Sequence, residues 1–349
     1  MKLKAAVYIF ALSIFASCAY WNVSSLSSKV IADIGNGEGA GQIQIIKDEY
    51  ALNDLSFRIE IFRKNIIVAD NSLKRVQVLD MNGKPELVIG SLTGIDKSSY
   101  STSPFNFGVI GSFTQDYDNN LYIQNRLQIR GRGSDSTSFS PSYILVFNDK
   151  GELQYTMGKT GTPDIPFFYI EKLFVDSSDR LFVISRTFNT WELYRFNKKK
   201  REKYIDFSRL EFKEKDNNET YEGKIENIEI LRNGEKILLS VAYYHDIRFK
   251  YRKIYEFSLE KDKITREIST IPDPKNVLFK VVDDKIMYFW NIDGKDVKFM
   301  LQNTEGSIIN NIKLDFDNKN YFSKIISNEN GRFFSYHVAS DSIQIYEWE

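Results

Sequence analysis

The chain has 349 residues, and its 47 Lys plus Arg balance 47 Asp plus Glu, so it offers no broad basic field to a polyanion. Nucleic acid is therefore excluded as an expected partner. With 42% hydrophobic residues, including 26 Phe, core-forming material is ample, whereas a single cysteine rules out an internal disulfide.

The chain opens MKLKAAVYIFALSIFASC: two lysines, an apolar stretch from Ala5 to Phe15, then small residues before Cys18. That is the layout of an export signal, with an apolar run too short to span a bilayer. It also resembles a bacterial lipoprotein signal, and Phe15 in place of the usual Leu resembles the relaxed lipoboxes of spirochaetal lipoproteins. The resemblance implies cleavage after residue 17 and acyl chains such as palmitate on Cys18. A lone exposed thiol in an oxidising compartment would otherwise be a liability. Residues 1–17 are thus expected to be a signal peptide and 18–28 a lipidated polar tether. The body, 29–349, is placed at the cell envelope, facing the periplasm or the outer surface, with the membrane as a partner through the acyl chains.

The next feature, IGNGEGAGQIQ at 34–44, fits a dinucleotide-binding G-x-G-x-x-A loop at Gly35, Gly37 and Ala40. Such a loop needs a helix behind it to hold the pyrophosphate, and here the following residues alternate like strands. The Gly-containing loops return after LVIG at 87–90 and YTMG at 155–158. Recurrence marks them as connectors, and no nucleotide or other cofactor is expected.

From there on, apolar and polar residues alternate over short runs broken by Asn, Asp and Gly, the pattern of half-buried antiparallel strands. A strand, a tight polar turn and a more apolar strand recur six times, from FRIEIFRKNIIVAD to KIISNENGRFFSYH. Equivalent positions Ile67, Tyr122, Phe182, Leu238, Met287 and Phe333 are spaced 46 to 60 residues apart, room for four strands each. Five units have a second hairpin. The sixth ends after its third strand, SIQIYEW, and SKVIADIG at 28–35 supplies the missing fourth. The expected fold is all-β: a six-bladed β-propeller with four-stranded antiparallel blades, its ring closed by the N-terminal strand pairing into the last blade.

The first unit, NIIVADNSLKRVQVLDMNGK, resembles an NHL-type repeat, with Asp70 and Arg75 at its Asp and Arg positions and Leu73 where Asn is usual. Later units keep only the hydrophobic skeleton. The resemblance implies a propeller and structural roles for Asp70 and Arg75.

Chemistry is harder to find. The two histidines, His245 and His337, are far apart in sequence, so neither a zinc site nor a Ser-His-Asp relay can be argued. Some six-bladed propellers are calcium-dependent lactonases or esterases, and Glu171 and Glu226 near the starts of two inner strands are the candidate metal-holding carboxylates. Calcium is the one cofactor this alternative allows. The preferred reading is a binding or scaffold module and not an enzyme. Loops joining second to third strands share one face, where Arg126, Arg130, Arg132, Arg186, Trp191, Tyr243, Tyr244, His245 and Arg248 form the candidate recognition surface for a protein, peptide or glycan.

Overall fold

In the computed structural model, residues 23–45, 56–96, 99–127, 142–158, 167, 169–187, 190–216, 219–293, 296–316, 324–339 and 341–349 are described. Six small sheets stand around an axis. Their inner strands are Phe57–Phe62, Val109–Gln115, Ile170–Val175, Glu219–Ile230, Val277–Val282 and Lys324–Ser327, which define blades one to six. The one helical turn among the described residues is Phe207–Arg209.

The ring closes as the sequence implies. Ser28–Asn36 lies antiparallel to Ser342–Trp348, with Ser28 opposite Trp348 and Ala32 opposite Ile345. Four of the six sheets gain a fifth strand. Val23–Leu26 runs parallel to the outer strand of blade five, so part of the segment expected to be a tether is built into the rim. Ser101–Pro104 and Gln42–Ile43 add parallel edges to blades one and six, and Lys213–Asp216 covers the start of the inner strand in blade four. Each short addition blunts an edge that would otherwise expose unpaired backbone.

The hairpin turns explain why the repeat is visible in sequence. Asp116, Asp176 and Asn328 open the inner turns of blades two, three and six, and the Oδ1 of each accepts two backbone amides. Three residues on, Asn119, Asp179 and Gly331 take positive φ, the conformation that Asn, Asp and Gly tolerate best. Between the turns, alternate residues face opposite sides of each sheet and have no core of their own to enter. They pack against the neighbouring blade instead, giving six apolar clusters, each shared by two adjacent blades.

The glycine-rich connector holds no helix. Its cup is filled by the chain's own Gln42, whose Oε1 accepts from Gly39 N at 2.8 Å. Gly41 takes φ +72 and donates to Gln77 Oε1 at 2.9 Å, where the chain turns onto blade one. Arg75, fully buried, donates to the carbonyls of Glu38 and Thr93, both at 2.8 Å, and so clamps the connectors before and after blade one. Asp70 accepts from the amides of Gln44, Ser72 and Leu73. Both residues of the NHL-like pair are therefore structural.

Candidate functional site

The inner strands line a central channel, and which side chains face it is set partly by β-bulges. Blades two to five slip by one residue between inner and second strands, with Glu171, Glu226 and Phe279 as the extra residues in blades three, four and five. A bulge re-aims the residues around it. Register then places Arg58, Ser112, Lys172, Asn227 and Lys324 at one level of the channel. Lys280 supplies the blade-five member.

These six side chains form a closed circuit in which each blade donates to the next. Arg58 Nη1 donates to Ser112 Oγ at 3.2 Å, and Ser112 Oγ to the Glu171 carbonyl at 3.1 Å. Lys172 pairs with the carboxylate of Glu229. Asn227 Nδ2 donates to the Leu278 carbonyl at 2.9 Å, Lys280 Nζ to the Ser327 carbonyl at 2.5 Å, and Lys324 Nζ to Glu60 Oε1 at 3.2 Å.

Below this circuit, toward the inner turns, lies a cavity of about 300 Å³ that Phe174, Phe279 and Val281 help to line. At its turn-side mouth, Tyr117 spans several blades. The Arg63 guanidinium stacks 3.9 Å from its ring centroid, and Arg232 Nε donates to its hydroxyl at 2.9 Å. Arg63 also pairs with Glu329 at 3.9 Å and Arg232 with Asp283 at 3.3 Å.

The electrostatics separate two kinds of group. Burial alone pushes the Glu60 carboxyl up, but Lys324 and Arg58 beside it reverse this and hold it below the ordinary carboxylate range. Burial of Lys280 lowers its ammonium to about 8, only partly offset by Glu229 and Glu329.

The residues singled out in sequence are scattered. Cys18, Arg130 and Arg132 lie outside the described residues. Glu171 lines the channel, whereas Glu226 is taken up in its own blade by Arg252 at 2.7 Å and the Tyr244 hydroxyl at 3.1 Å. Among the described residues no three His, Cys, Asp or Glu side chains gather as a metal-holding group.

Two members of the expected recognition surface are core residues instead. Trp191 is 7% exposed and donates Nε1 to the Ile225 carbonyl at 3.0 Å, and Tyr243 is 1% exposed with its hydroxyl 2.7 Å from that of Tyr255. Trp191 opens the third strand of blade three and packs into the cluster shared with blade four, whereas for Tyr243 the reason is strand length. Lys236–His245 and Arg248–Ser258 run ten and eleven residues, so the segment expected to be a long loop is a tight hairpin. Arg186 and Arg248 are exposed, with the Arg186 guanidinium 5.2 Å from the Trp191 ring. Tyr244 and His245 are half-buried, and Arg126 stacks at 6.0 Å on Tyr169. The channel, on the axis itself, had no sequence motif to mark it.

In sequence the chain matches no protein-family profile and no curated protein. Among solved structures, the Dos1 propeller aligns over 94% of this chain and 94% of its own, at 9% identity and a TM-score of 0.45. A protein of unknown function from Bacteroides caccae aligns over 76% of this chain and 84% of its own, at 13% identity and a TM-score of 0.42. An acylaminoacyl peptidase from Pyrococcus horikoshii aligns over 83% of this chain and 43% of its own, at 14% identity and a TM-score of 0.46. No helix among the described residues is long and apolar enough to cross a membrane.

Proposed function

We propose that this chain is a binding module of the cell envelope: a six-bladed propeller, exported and held by acyl chains on Cys18, that receives a small ligand in its central channel. The observation that carries this reading is the cavity of about 300 Å³ on the axis, walled by side chains from all six blades. It is within the lower size range of small-molecule sites and is held in shape by the circuit above it and the Arg63–Tyr117–Arg232 contacts at its mouth. The chemistry of the wall favours binding over turnover. Of the hydroxyls on it, Ser112 is engaged on both sides by Arg58 and the Glu171 carbonyl and Tyr117 accepts from Arg232, and neither histidine lines the cavity.

A thermal-shift screen of small polar compounds on the purified chain tests this, run beside hydrolysis assays with ester and lactone substrates in calcium. Compound-dependent stabilisation without turnover is expected; calcium-dependent hydrolysis would replace the binding reading with the hydrolase one. The anchor has its own test. A clickable palmitate analogue should label the chain in growing bacteria, and label retained after Cys18→Ala would overturn lipidation at that residue.

A second surface supports contact with a protein, peptide or glycan. Ile247, at the hairpin tip of blade four, is 93% exposed and flanked by the exposed Arg248. An apolar side chain held that far into water beside an arginine suits an interface.

A further inference from the structure

We propose that the channel cavity selects a small organic monocarboxylate, its head on Lys280 and its apolar body against Phe174 and Phe279. This rests on the reading of the channel as a ligand site and adds the class of ligand. Of the cations that line the cavity, Arg58 and Lys324 share Glu60, Lys172 has Glu229, Arg63 has Glu329 and Arg232 has Asp283. Lys280 is different. Among the described residues its one hydrogen bond goes to the Ser327 carbonyl and no carboxylate lies within ion-pair distance of it.

An ammonium has three donors, so two of those of Lys280 are free for a ligand oxygen. The carboxylates nearest to it in effect, Glu229, Glu329 and Glu60, are each committed to another cation. A cationic ligand would find both ring carboxylates, Glu60 and Glu229, already occupied. Around the circuit, four cations face two carboxylates, and the exposed Glu171 on the wall offsets one of the two surplus charges. One negative charge completes the balance. Two negative charges would overshoot it, which disfavours a phosphate dianion.

The rest of the wall sets the body of the ligand. Phe174 and Phe279 are only partly buried, and both line the cavity. Phe279 is held in place by Trp290 at 5.6 Å and Phe299 at 5.4 Å between ring centroids. Rigid rings beside one cation with donors to spare suit a compact molecule with an apolar end and one acidic end.

Isothermal titration of the purified chain with benzoate tests the inference, with benzylammonium and benzyl alcohol as probes of the same shape and different charge. Benzoate should bind at least tenfold more tightly than either. Lys280→Met should abolish that preference and Lys280→Arg should keep it, while Lys198→Met, in an exposed outer turn, should change nothing. Circular dichroism would confirm that each variant is folded. Equal binding of the three probes, or a benzoate preference that survives Lys280→Met, overturns the carboxylate assignment and leaves the channel reading standing. No binding of any probe also overturns the assignment, and the compound screen then decides the channel reading separately.

Discussion

Lys324 Nζ lies 3.2 Å from Glu60 Oε1, joining blade six to blade one across 264 positions of sequence. This is the last link of a circuit in which every donor points to the following blade, so the inner wall closes in the same sense as the chain runs. Breaking any one link leaves a donor or acceptor on the inner wall without its partner. The outer closure is a different contact, the pairing of Ser28–Asn36 with Ser342–Trp348. The ring is thus fastened twice, once by backbone at the rim and once by side chains on the axis.

The backbone fastening depends on the apolar cluster beneath it. Ile345 is fully buried among residues of blades six and one, opposite Ala32. Ile345→Ala should cost about 2–5 kcal/mol, the usual range for emptying a core site. Ile308→Ala, at an exposed position on the outer strand of blade five, should change stability by less than about 0.5 kcal/mol. Thermal or urea unfolding of the two variants checks the contrast.

The axial fastening should show in acid. Glu60 has its folded carboxyl below the ordinary range, so it adds stability that is complete above the unfolded value and is lost as pH falls through the folded one. Unfolding midpoints of the parent chain should therefore decline below about pH 4.5 more steeply than those of Glu60→Gln. At neutral pH the variant leaves Lys324 and Arg58 sharing no carboxylate and should be weaker by about 1–3 kcal/mol. Coincident pH profiles for the two proteins would contradict this.

The propeller is legible in sequence because its turns repeat a chemical rule. Asp116, Asp176 and Asn328 accept local amides, with a residue tolerant of positive φ three positions later, and this spacing survives when little else does. The closing strand is legible for a related reason, since a unit missing its fourth strand must borrow one. The channel is not legible, because bulges at Glu171, Glu226 and Phe279 shift which residue of each inner strand meets the axis. Without those slips, a period of two assigns Lys172 and Lys280 to the wrong face. Tyr243 looks like a loop aromatic until the length of the blade-four strands is known, and that length comes from cross-strand pairing with no local signal. Trp191 opens the third strand of blade three and is buried by its contact with blade four.

Trp191 joins blades three and four by a single polar contact inside an apolar cluster, its Nε1 on the Ile225 carbonyl. Trp191→Phe keeps most of the packing and loses the bond, so about 1–2 kcal/mol of stability should go. Trp191→Ala should lose about 3–5 kcal/mol. Because the ring is buried and Arg186 is exposed, binding at the proposed recognition face should respond to Arg186→Ala and not to Trp191→Phe. Parallel unfolding and binding measurements on the three variants separate the structural role from recognition.

Lys280 should make the folded chain respond to alkali in the opposite sense from an ordinary surface lysine. Its ammonium is lowered to about 8 by burial, with Lys172 lowering it further and Glu229, Glu329 and Glu60 acting against the shift. Between that value and the ordinary lysine value near 10.5, the unfolded chain holds a proton that the folded chain has released. Stability should accordingly rise with pH across this window, by roughly 3 kcal/mol. Lys280→Met removes the group that is costly to keep charged, so at pH 7 it should be at least as stable as the parent chain, and the alkaline rise should vanish. Urea midpoints from pH 7 to 10 measure both effects. A carboxylate bound at Lys280 would favour its charged form, so saturating benzoate should move the onset of the rise upward in the parent chain and leave Lys280→Met unchanged.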